Sequence, residues 1–120
     1  MNESADISLE LRRQIAAAAQ GYLDGRIKAV ETSRRIFEAS IQLDASTSDL
    51  LMGLTAVASD SDGFPLGAER DHWSPAALQR EDAARQQYEL AVTARMTHLC
   101  RQVVDLFASE THPDSPSATT

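Results

Sequence analysis

The residues best equipped for chemistry lie in one stretch, "SDSDGFPLGAERDHWS" from Ser59 to Ser74, which holds four carboxylates, a histidine, an arginine and three serines. Carboxylates spaced two apart before a glycine suggest a calcium loop, D-x-[DN]-x-[DN]-G with a Glu six residues after the Gly. With Gly63 as the invariant glycine, Asp60, Asp62 and Glu69 fall at ligand positions three, five and twelve. Position one is then Ala58, which offers no carboxylate, and position eight is Pro65, which has no N–H to donate. The stretch is therefore not expected to hold a metal. Asp71, His72 and Ser74 contain the residue types of a nucleophilic triad, but a triad needs a strained, exposed serine and an oxyanion site. Ser74 precedes Pro75, and that pair is better explained as a helix N-cap followed by the first helical residue. Asp60 and Asp62 are close enough in sequence to share a proton, yet no recognisable pocket accompanies them.

Elsewhere the catalytic vocabulary is sparse. His98 and His112 have no second histidine at zinc-ligand spacing. Glycines at 21, 25, 53, 63 and 67 form no phosphate-binding fingerprint. The doublets Arg12-Arg13 and Arg34-Arg35 fit helix-surface charges facing Glu10, Glu31 and Glu38 better than an anion site. No catalytic residue, metal or cofactor is expected, and the chain is read as a non-enzyme.

Composition narrows the partner. The chain has 120 residues and a formal charge of −7. Asp44, Asp49, Asp60, Asp62, Glu69 and Asp71 against Arg70 give −5 between residues 44 and 71. An acidic surface repels nucleic acid and anionic membranes and favours a basic protein. Ten of the eleven basic residues are Arg, which a GC-rich genome explains as well as any need for forked hydrogen bonds. Single Cys100 cannot form an internal disulfide and is read as a structural thiol in a reducing compartment. No apolar run reaches 18 residues, and "MNESADIS" lacks a basic start followed by an apolar stretch, so a cytosolic location is expected.

The elements that must position the stretch read as all-α: a small antiparallel bundle of three long helices and one short one, with a long ordered loop before the last. One domain over 1–108 and a disordered tail over 109–120, rich in Ser, Thr and Pro, are expected. The first helix should run from about Ile7 to Leu23, capped by Asp6, burying Leu11, Ile15, Ala18 and Tyr22 and ending at Gly25. A second, from about Ile27 to Leu43, should bury Ile27, Val30, Phe37 and Ile41. Arg34 falls on that stripe, either with its stem packed and its head at the edge or in a partly buried ion pair. "DASTSD" (44–49) reads as a turn, and Leu50, Leu51, Leu54 and Val57 mark a short third helix, although residues 49–58 also suit a buried strand. From Ser74 one unbroken helix should continue to about Ser109, since residues 76–109 contain no Gly or Pro. Its stripe is Tyr88, Val92, Met96, Leu99, Val103 and Leu106, while "QREDAARQQ" (79–87) should project or serve a partner.

Phe64, Leu66 and Trp73 are residues a disordered loop would not need. They are expected to fold back as anchors, holding Asp60, Asp62, Glu69 and Asp71 outward to meet Lys or Arg of a partner. "GYLDGRIKAVETSRRI" followed by "SDSDGFPLGAERDHWSPAALQRED" resembles a family of small bacterial helical proteins of the immunity type, over about residues 20 to 105. The resemblance implies a protein that blocks a basic toxin by occluding it, and no site residue is carried over from it. The alternative is a structural or regulatory module that self-associates through the start of the last helix.

Overall fold

The computed structural model describes residues 3–43 and 49–111, with side chains described for 7–43 and 51–107. Among these residues there are five α-helices, one 3₁₀ turn and no strand: α1 Glu3–Leu23, α2 Ala29–Leu43, α3 Asp49–Asp60, the 3₁₀ turn Gly67–His72, α4 Pro75–Ala91 and α5 Thr93–Thr111. The turn expected over 44–49 lies, but for Asp49 at the start of α3, outside the described residues, as do residues 112–120 of the expected tail. None of the described helices is long and apolar enough to cross a membrane.

Helix α1 buries Leu11, Ile15, Ala18 and Ala19 on one face, with Tyr22 packed at the edge of the core. It begins at Glu3, so Asp6 lies inside the first turn and is not the cap; acidic residues there still suit the positive end of the helix. The chain leaves α1 through Gly25 at φ 80°, the left-handed conformation glycine adopts without steric cost, and Arg26 N donates to Gly21 O at 2.8 Å. Gly21 itself meets the returning chain closely, because a Cβ there would stand 2.5 Å from Ile27 Cδ1. This short turn lays α2 back along α1.

The buried face of α2 differs from the expected one. Val30 is buried, but Phe37 is only partly covered and Ile41 is 59% exposed. The core face is Ala29, Val30, Thr32, Ser33, Ile36, Ala39 and Ser40. Hydroxyls suit this interface because they donate to carbonyls of the same chain: Thr32 to Lys28 O, Ser33 to Val30 O and Ser40 to Phe37 O, each at 2.8 Å. A satisfied hydroxyl costs little to bury, and small side chains let helices approach. Helix α3 settles the helix-or-strand choice for residues 49–58: it buries Leu51, Leu54, Val57 and Ala58, and Thr55 donates to Leu51 O.

The last helix is not continuous. It breaks at Val92 (φ −98°, ψ 5°), although Val92 N still reaches Tyr88 O at 3.1 Å and Met96 N reaches Val92 O at 2.8 Å. No Gly or Pro marks the site; the break falls where the chain changes neighbours. Helix α5 packs on α1 and α3 through Val92, Met96, Cys100, Val103 and Phe107, at steps of 4, 4, 3 and 4 residues. Helix α4 leans on α2 and buries no residue fully. Leu106, expected inside, is 44% exposed, and Phe107 takes its place. Helix α5 also continues to Thr111, beyond the expected end near Ser109.

Candidate functional site: the acidic segment between α3 and α4

Helix α3 ends by folding Ser61 under itself. Ser61 is fully buried and its hydroxyl donates to Val57 O at 2.7 Å, while Phe64 N closes a turn on Ser61 O at 3.1 Å. Pro65 follows, also fully buried, and Gly67 at φ 60° starts the 3₁₀ turn. Ser74 then caps α4, its hydroxyl accepting from Ala77 N at 3.1 Å, with Pro75 at the first helical position. That hydroxyl thus serves the helix end, and His72 is exposed.

Two arginines hold the backbone in place. Arg34 reaches from α2 and donates from Nη2 to Ser61 O and, at 2.8 Å, to Phe64 O. Its guanidinium thus binds loop carbonyls, and the expected ion pair does not form with any described residue. Its Nε is buried without an acceptor, a cost on the order of 1–3 kcal/mol that two charge-assisted bonds offset. Arg70 forms a two-pronged pair with Asp82 of α4 at 2.7 and 2.8 Å. That hydrogen bonding holds the Asp82 carboxyl below its usual range and pushes the Arg70 guanidinium up. Arg85 extends the chain of charge, 3.3 Å from Asp82 and 3.6 Å from Glu89. Glu89 Oε2 in turn accepts from Val30 N at 3.1 Å, capping α2 from a helix 59 residues away. Asp82 and Arg85, two charges of the stretch expected to project, are therefore engaged within the molecule.

The expected anchors Phe64, Leu66 and Trp73 are all partly covered. Phe64 lies 6.1 Å from the Tyr88 ring at a 48° tilt. Asp60, Asp62, Glu69 and Asp71 are exposed. Asp60 faces Tyr88, whose hydroxyl is pushed up by burial first and by the Asp60 charge second. Asp62, Glu69 and Asp71 form no ion pair with any described residue. Among the described residues, no three His, Cys, Asp or Glu side chains converge as a metal-binding group.

Sequence reading missed the positioning set Arg34, Arg70, Asp82, Arg85 and Glu89. A signal existed for three of them, since Asp82, Arg85 and Glu89 recur at i, i+3 and i+7 on one face of α4. The roles of Arg34 and Arg70 depend on contacts that no local spacing encodes. The surface pair Arg35–Glu31, by contrast, forms at 2.8 Å as the spacing requires. Two grooves stand out, the second of them bordering the segment. One of about 500 Å³ lies where Ile27, Lys28 and Tyr22 face Glu89, Leu90 and Thr93, and another of about 390 Å³ lies where α2 meets the end of α3.

Comparison of the chain with protein-family models, with characterised proteins and with solved structures finds no match to any of them.

Proposed function

We propose that the chain is a non-enzymatic binding protein whose segment 59–73 presents carboxylates to a basic protein. One observation carries this reading: Asp60, Asp62, Glu69 and Asp71 are exposed on a backbone whose carbonyls are held by Arg34 and whose 3₁₀ turn is pinned to α4 through Arg70 and Asp82. Charges fixed before encounter lose little side-chain and loop freedom on binding, and complementary charge speeds association and sets register. From the sequence motifs alone we infer that the basic partner is a toxin, neutralised by occlusion in the cytosol.

The test uses the product of the neighbouring reading frame, or a partner purified from the native host, and titrates its complex against salt. Affinity should fall on the order of tenfold or more between low and half-molar salt, and a similar loss should follow from Asp60, Asp62 and Asp71 all changed to Asn. Binding indifferent to both would remove the acidic segment from the interface. A second reading, self-association through α4, is favoured by Leu90, which is 77% exposed on that helix. Sedimentation showing a monomer at all concentrations would exclude it.

A further inference from the structure

The groove where α2 meets the end of α3 gives the partner a more specific chemistry. It holds about 390 Å³ and is lined by Arg34, Phe37, Glu38, Ala58, Ser59 and Asp62. Phe37 and Ala58 supply apolar lining, and the carboxylates come from two elements: Glu38 from α2 and Asp62 from the turn after α3. Both carboxylates are exposed, and neither forms an ion pair with a described residue. The one cation lining the groove, Arg34, has its Nη2 turned to the carbonyls of Ser61 and Phe64. What remains open to an occupant is apolar lining together with two acceptor groups.

We propose that this groove receives one arginine side chain of the basic partner, its aliphatic stem against Phe37 and Ala58 and its guanidinium between Glu38 and Asp62. The inference rests on the acidic segment being the binding face and names what the partner inserts beside it. A neutral apolar occupant would bury the two carboxylates with Arg34, already engaged with carbonyls, as the one counter-charge in the lining, which is costly. An anion would be repelled by both. A cation on a long apolar stem satisfies lining and carboxylates together. Arginine suits the site better than lysine, because its planar fork can serve two carboxylates at once and its face can lie on an aromatic ring, whereas an ammonium is a compact, strongly hydrated point charge.

The probes are N-acetyl-arginine amide and N-acetyl-lysine amide, titrated into the full chain and followed by NMR. The arginine probe should give saturable shifts at Phe37, Glu38, Ser59 and Asp62, with an affinity severalfold above that of the lysine probe. Glu38→Gln and Asp62→Asn, both at exposed positions where substitutions seldom disturb the fold, should each weaken it by about threefold or more, and Asp105→Asn, at an exposed position of α5, should leave it unchanged. Equal binding of the two probes, or no shift at these residues, would overturn the proposal. So would shifts spread evenly over Glu69 and Asp71 and indifferent to Glu38→Gln. In each of these cases the salt and Asn-variant test on the cognate complex still decides separately whether the acidic segment binds at all.

Discussion

Helices α4 and α5 adjoin at a single residue, yet different forces hold them. Helix α5 puts Val92, Met96, Cys100, Val103 and Phe107 into the apolar core against α1 and α3. Helix α4 buries no residue fully and is tied by Arg70–Asp82 to the 3₁₀ turn, by the Glu89 cap to α2 and by Tyr88 against Phe64 and the edge of the core. The first kind of contact is non-directional and nearly indifferent to salt and pH; the second depends on charge and geometry. A body held by burial thus carries a helix held largely by polar contacts, and the acidic segment leads from the one to the other. That division lets the acidic segment vary in charge without endangering the core.

The sharpest test substitutes one residue on each side of the break. Met96 is fully buried, so Met96→Ala should cost about 2–5 kcal/mol of global stability by lost burial and a cavity, read as a lowered denaturation midpoint. Leu90 is 77% exposed, and Leu90→Ser should stay within about 0.5 kcal/mol. Similar losses from both would break the comparison. Arg34→Met comes next in size: it keeps the stem and removes both bonds to loop carbonyls, at about 2 kcal/mol. Hydrogen exchange should rise first at the Phe64 amide, whose turn closes on Ser61, ahead of amides in α1 and α5.

The all-α class and the α1 face were legible because both follow from local periodicity of apolar residues. Two features were not. The core face of α2 is carried by Thr32, Ser33 and Ser40, whose hydroxyls are satisfied within the chain, and a pattern that counts only apolar types turns the helix to the wrong phase. The break at Val92 carries no Gly or Pro to announce it; Glu89 O accepts from the Thr93 hydroxyl there, and the helices on either side pack on different partners. At the site, the exposed acids could be read from the chain as solvated loop residues. The arginines that fix them could not, because Arg34 meets Ser61 and Phe64 across 27 and 30 residues.

The smallest expected effect is also the most selective, and it comes from acid. Hydrogen bonding from Arg70 lowers the folded pKa of Asp82 below the ordinary value of 3.8. The unfolded chain therefore binds a proton at this carboxylate more readily than the folded one. The stabilisation is fully present above the unfolded value and is lost as pH falls through the folded one, so the window lies below about pH 4. Partial exposure of both side chains, 32% and 27%, keeps the effect modest. Lowering pH from 6 to 2 should reduce the protection factors of α4 amides and of the 3₁₀ turn before those of α5, which is held by apolar burial. Asp82→Asn should show part of that loosening already at pH 6 and respond less to acid. If α4 and α5 instead loosen together at every pH, the two helices form one cooperative unit, and the acidic segment is held by the core after all.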